Sequence, residues 1–159
     1  MMKLTTFLAL IAATATLPTS VLAQLPSSKV LTLDVAETIA QGALAKCRAG
    51  GYKVAVLVVD ALNAPKVMIR DDGAVAATTE VARMKATTTM LYNRPSGPAT
   101  PPAAGTAAPP ATIPGTINAQ GGVPIKVGDV TIGAVAVSGA SGDVACATAG
   151  IEKAASKLK

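Results

Sequence analysis

Lys53-Val54-Ala55-Val56-Leu57-Val58-Val59-Asp60, followed by Ala61-Leu62-Asn63-Ala64-Pro65 and Lys66-Val67-Met68-Ile69-Arg70, is the stretch on which the fold turns. The first segment is an unbroken apolar run rich in β-branched residues and too short for a buried helix. It reads as a strand covered on both faces. The Asn- and Pro-containing segment reads as a turn, and Lys66–Arg70 as a second strand pairing back in a hairpin, closed by Asp71-Asp72-Gly73. A second hairpin follows near the end of the chain: Ile125-Lys126-Val127, the turn Gly128-Asp129, then Val130 to Ser138. Gly-Asp suits a primed two-residue turn. Consecutive hairpins dictate an antiparallel sheet, with helices on its faces, and exclude a doubly wound parallel sheet.

Working outward, a helix is expected from Leu33 to Ala49, capped by Thr32 or Asp34 and ended by Gly50-Gly51. Ala36, Ile39, Ala40, Ala43, Leu44 and Cys47 share one apolar face, with Cys47 in the last turn. A second helix spans Thr78 to Leu91; its threonines lower helix propensity, so packing must hold it. A third runs from Val144 to Lys157, with Asp143 as cap and Ala147, Ile151, Ala154 and Leu158 as buried face. Ile113-Pro114-Gly115-Thr116-Ile117 offers one more short strand. Pro95 to Pro114 contains seven prolines among Ala, Gly and Thr, and lacks the bulky residues that offset ordering entropy. It reads as an exposed, partly mobile loop within a single α+β domain.

The 159 residues carry one Phe, two Tyr, no Trp and no His. Without His, Ser-His-Asp chemistry, His-based zinc sites and His-ligated haem are excluded within one chain. The net charge is +5, spread singly along the chain. No run of basic residues interleaves with aromatics, so a nucleic-acid surface is poorly supported. Residues 1–23 read as a signal peptide: Lys3, an apolar run from Leu4 to Leu17, the break at Pro18-Thr19-Ser20, and Val21-Leu22-Ala23 before the cut. Cleavage leaves Gln24 first and no spanning segment after it, in a periplasmic or secreted protein. Cys47 and Cys146 are a pairable number in such a compartment; two separate buried thiols is the alternative.

Three stretches resemble the GlcG/HbpS-like family, the haem-binding and haem-degrading-like domain also found in PduO-type proteins. They are Val58-Val59-Asp60 with Arg70-Asp71-Asp72-Gly73-Ala74; Ala82-Arg83-Met84-Lys85-Ala86; and Ile113-Pro114-Gly115 through Gly121-Gly122-Val123-Pro124-Ile125 to Ile132–Gly139 and Asp143–Ile151. The resemblance implies a profilin-like three-layer sandwich, with a five-stranded antiparallel sheet flanked by helices, and assembly into homo-oligomers. In such a fold the first and last helices lie side by side. If they run antiparallel, Cys47 at the end of one meets Cys146 at the start of the other, as a disulfide. Many relatives carry a His just before the middle helix; this chain reads Val75-Ala76-Ala77-Thr78 there.

The resemblance implies an exported small-ligand binding protein, with haem or a related tetrapyrrole as the first ligand to test. Lacking His, haem would take Met68, Met84, Met90 or Tyr92 as axial ligand, and Arg94 stands beside Tyr92 for a propionate. The ligand-binding candidates are Arg70, Asp72, Arg83, Lys85, Tyr92, Gly121 and Gly122. Arg83 and Lys85 would clamp an anion, or belong to a solvated helix face. Gly121-Gly122 would offer backbone N–H groups, or make a plain tight turn. No metal cluster is expected. Two alternatives remain: an enzyme acting on a small oxo- or hydroxy-acid, with Asp72 or Glu80 as base and Arg83 as clamp, and a non-catalytic interaction module using the Pro/Ala-rich loop.

Overall fold

A computed structural model describes residues 28–98 and 113–159. The leader and most of the Pro/Ala-rich loop lie outside the described residues. The order is α1 (Leu33–Ala49), β1 (Ala55–Asp60), β2 (Pro65–Arg70), α2 (Ala77–Tyr92), β3 (Gly122–Val127), β4 (Val130–Ser138), α3 (Asp143–Lys153) and a short 3-10 turn, Ala155–Lys157.

The sheet is antiparallel throughout, in the order β2-β1-β4-β3. β1 is buried along almost its whole length because it is central and covered on both faces, as its apolar run requires. Ala55 stands opposite Arg70 in the first hairpin and Ser138 in β4. The turn after β1 is fastened by Asp60, whose carboxylate accepts from the N–H groups of Leu62 (2.9 Å) and Ala64 (3.0 Å). Gly128-Asp129 joins β3 to β4, with Val127 opposite Val130.

Among the described residues the sheet has four strands, not five. Ile113–Ile117 turns instead of extending. Pro114-Gly115 reverses the chain, so that the Thr116 N–H and hydroxyl both donate to the Ile113 carbonyl. Ile117 then hydrogen-bonds through its N–H and C=O to the Thr88 hydroxyl of α2, at 2.9 and 3.1 Å, in place of a strand partner.

The helices α1 and α3 cover one face and α2 the other, making three layers. The first layer holds most of the core: Leu31, Ile39, Val54, Val56, Val58, Ile125, Val135 and Val137 are at most 1 % exposed. Thr32 caps α1, its hydroxyl accepting from Val35 N–H. Gly42 and Gly150 are the close approach of α1 and α3; a Cβ at Gly150 would overlap the Ile39 carbonyl oxygen. The antiparallel crossing brings Cys47 and Cys146 to a Cα separation of 5.4 Å, and they form a disulfide.

α3 is shorter at its end than its periodicity suggests. It stops at Lys153, and Leu158, expected on the helix, lies beyond the 3-10 turn. Asp143 is not its cap but its first residue, with Gly142 at the cap. The layer under α2 is thin: Leu57, Val59, Ala82, Ala86, Ala134 and Ala136, with Met90 against them. Small residues let the helix lie close to the sheet, where its low-propensity threonines are held by packing.

Candidate functional site

The sequence-derived candidates fall into three places around α2. The first is a buried polar junction where α2 crosses β3, β4 and the start of α3. Lys85, Ala82, Ala86 and Thr89 recur at helical spacing and form the stripe that faces the sheet. Lys85 is therefore buried, 4 % exposed, rather than on a solvated face. Its ammonium donates to Asp143 Oδ2 at 2.6 Å and to the Val137 carbonyl at 3.0 Å. The other Asp143 oxygen accepts from Ala140 N–H at 2.8 Å. A buried ammonium without such partners would carry a heavy desolvation penalty. Asp143, though not Lys85, lines a 410 Å³ cleft formed with Gln120, the loop Ala140–Gly142 and the start of α3.

Gly121 and Gly122 belong to this junction. A Cβ on Gly121 would stand 2.9 Å from the Lys85 ammonium; one on Gly122 would overlap the Thr89 hydroxyl. Three of their backbone polar groups are already engaged. Gly122 N–H donates to Ser96 Oγ at 2.8 Å, its carbonyl accepts from Ser96 N–H, and the Gly121 carbonyl accepts from Val137 N–H. Ser96 is itself buried and donates to the Ala119 carbonyl at 2.7 Å. Ser96 and Gly97, early in the Pro-rich stretch, are thus buried, with Ser96 fastened to the start of β3, while Pro95 and Pro98 are exposed; residues 99–112 lie outside the described part.

The second place is the corner between β2 and α2. Arg70 is exposed and donates to the Ala74 carbonyl at 2.6 Å. Asp72 is exposed beside it. Asp71 points the other way: its carboxylate, 2 % exposed, accepts twice from Arg48 of α1, at 2.7 and 3.1 Å. The hydrogen bonds from Arg48 hold its pKa below the ordinary carboxylate value, against an opposing effect of burial. On the outer face of α2, Arg83 makes a two-pronged ion pair with Glu80, at 2.8 and 2.9 Å. That bond lowers the Glu80 pKa, so Glu80 is a weaker base and Arg83 a partly neutralised clamp. Glu80, one candidate base, is thus tied directly to the Arg83 clamp, whereas Asp72, the other, hydrogen-bonds to neither of them among the described residues.

The third place is the C-terminal end of α2. Tyr92 is its last residue, followed by Asn93 in the left-handed conformation, which turns the chain. The Asn93 side-chain oxygen accepts from the Thr131 hydroxyl at 2.6 Å and ties this end to β4. The Arg94 guanidinium lies 5.5 Å from the centre of the Tyr92 ring, in cation–π range, and donates to the Gly97 carbonyl at 2.9 Å. The Tyr92 hydroxyl is buried and has no hydrogen-bond partner among the described residues. Such a group costs about 1–3 kcal/mol unless something pairs with it. Of the methionines, Met68 is exposed, and Met84 and Met90 are half-buried on α2.

Sequence reasoning missed Asp143 as the partner of Lys85, and Ser96. The i, i+3, i+4, i+7 placement of Ala82, Lys85, Ala86 and Thr89 carried the signal for burial of Lys85; the partner, 58 residues away, carried none. Among the described residues no three His, Cys, Asp or Glu side chains cluster as a metal site, and no helix is long and apolar enough to cross a membrane.

The fold is shared with solved proteins. HbpS superposes with a TM-score of 0.69 at 29% identity, over 81% of this chain and 93% of that one. The Klebsiella pneumoniae protein ORFY gives 0.74 at 21% identity, covering 86% and 98%. PduOC, solved as a haem complex, gives 0.68 at 19%, covering 79% and 95%; at these last two identities the likeness is one of fold. No curated protein matches the sequence significantly. The family model described as "Haem degrading protein HbpS-like" matches residues 31–152, most of the chain. On that match, with the three-layer sandwich behind it, the chain belongs to the HbpS-like family.

Proposed function

We propose that this chain is an exported small-ligand binding protein whose ligand is haem or a related tetrapyrrole, held at the C-terminal end of α2. The observation that carries the reading is the buried, unpartnered hydroxyl of Tyr92 beside the Arg94 guanidinium. Tyrosine oxygen is one of the protein ligands haem iron takes. A guanidinium pairs with a carboxylate such as a propionate. The residue types therefore fit the group without a histidine: Tyr92 would supply an oxygen to hold it and Arg94 a cation for its carboxylates. When bound, the tetrapyrrole would supply redox and ligand-binding chemistry at its metal.

Lys85 and Asp143 are positioning residues in this reading. They pin α2 to β4 and α3, and so hold the end of the helix in place. Family membership supports the ligand class, and the leader-like pattern of residues 1–23 supports export. Homo-oligomeric assembly is part of the same proposal. Titration of the purified chain with haemin tests it. A saturable Soret shift at micromolar protein is expected, lost in Tyr92→Phe, whose thermal stability without ligand is equal to or above that of the parent. No saturable shift would overturn it. For export, the N-terminus of the protein recovered outside the cytoplasm should be Gln24; recovery only with residues 1–23 attached would contradict it.

A further inference from the structure

At the end of α1 far from the disulfide, and on the sheet face opposite α2, an open cavity of 320 Å³ lies between the start of α1, the β3–β4 hairpin and the last residues of the chain. Its apolar lining is Leu31, Val35, Val127 and Ile132, all buried, with half-buried Leu158. Val30, 68 % exposed, stands in the lining as well. Three lysines complete it: Lys29, Lys157 and Lys159. The Lys157 ammonium is committed to Asp34 at 2.7 Å, and reaches Thr38 Oγ1 at 3.3 Å. Lys29 and Lys159 make no ion pair among the described residues. The Thr32 hydroxyl is used in capping α1.

An apolar floor with uncommitted cations beside it selects a ligand with an apolar body and an anionic head. A small inorganic anion would leave the floor uncovered, and a neutral hydrocarbon would leave Lys29 and Lys159 unmatched. We propose that this cavity binds a medium-chain aliphatic carboxylate. The tail lies on Leu31, Val35, Val127 and Ile132, and the head between Lys29 and Lys159. At about 30 Å³ for each water-sized group, the cavity holds about ten non-hydrogen atoms, the size of octanoate. The site is separate from Tyr92 and Arg94, and does not depend on the tetrapyrrole reading.

Calorimetric titration of the purified chain with sodium octanoate tests this, with octan-1-ol and butyrate as controls. One octanoate per chain should bind saturably, with octanol and butyrate each weaker by about tenfold or more. In the double variant K29E/K159E, both positions exposed, octanoate should weaken by about tenfold. Octanol binding and the melting temperature should stay as in the parent. No saturable octanoate binding, equal affinity for octanol, or octanoate binding unchanged in K29E/K159E would each overturn the proposal.

Discussion

Lys85 and Asp143 are the pair of side chains on which the packing of α2 most depends. Both are nearly buried, and each satisfies the other at 2.6 Å. Removing one leaves the other charged and enclosed, which costs about 3–5 kcal/mol. Lys85→Met should lower unfolding stability by that amount in urea. Lys85→Met with Asp143→Leu should lose clearly less than the two single variants added together, because the stranded charge is gone. Asp71 makes a different prediction. Its folded pKa is lowered, first by the hydrogen bonds from Arg48, so its contribution is complete above the unfolded carboxylate pKa and is lost as pH falls through the folded value. The window therefore lies below about pH 4. The melting temperature of the parent should fall on acidification through that range. Asp71→Asn should start lower at neutral pH and converge with the parent in acid, and parallel curves would contradict the assignment. The Glu80–Arg83 pair shares the sign, but both partners are more than half exposed, and solvent leaves it little weight. Sequence made Asp71 and Asp72 look like equivalent turn residues. Which of the two turns inward depends on Arg48 of a separate helix, and no local pattern contains that.

Elements with a strong internal period were legible. The limits of α1 follow from Thr32 at its start, Gly50-Gly51 at its end and one unbroken apolar stripe. β1, β2 and β4 follow from β-branched runs between turn residues. The failures came where a tertiary partner decides. Ile113–Ile117 has strand-forming residues, yet the Thr88 hydroxyl takes the backbone groups of Ile117 in place of a strand partner. Asp143 has the composition of a cap, yet Lys85 draws its carboxylate into the interior. The α1–α3 contact rests on the absence of side chains at Gly42 and Gly150. Gly150→Ala should force the helices apart and cost about 1–3 kcal/mol, as overpacking does. A chemical denaturation curve measures it, and a variant as stable as the parent would show that the helices have room to spare.

The whole molecule is a thin sandwich, with most of its bulk between the sheet and the α1–α3 layer, and that layer is closed covalently. Cys47 and Cys146 are 99 residues apart, so their disulfide closes most of the domain. In the chain-entropy account a loop of this length is worth about 4–5 kcal/mol, a large share of the stability of a small domain. Reductant, or Cys47→Ala with Cys146→Ala, should lower the melting temperature substantially; a temperature unmoved by reductant would remove that contribution. The pairing was legible because two helix patterns, each with a Cys at its end, combined with the family resemblance to place the helices side by side. The candidate site was legible only in part. Tyr92 and Arg94 are neighbours in sequence and in space, whereas Lys85, Gly121 and Gly122 turned out to be interior packing around Asp143. The central claim is that Tyr92 at the end of α2 holds a tetrapyrrole. Native mass spectrometry with equimolar haem tests it most directly. The account predicts one haem per chain on the native ion, absent after denaturation and absent from Tyr92→Phe. A bare chain at every haem concentration, or an equal adduct on Tyr92→Phe, would contradict it.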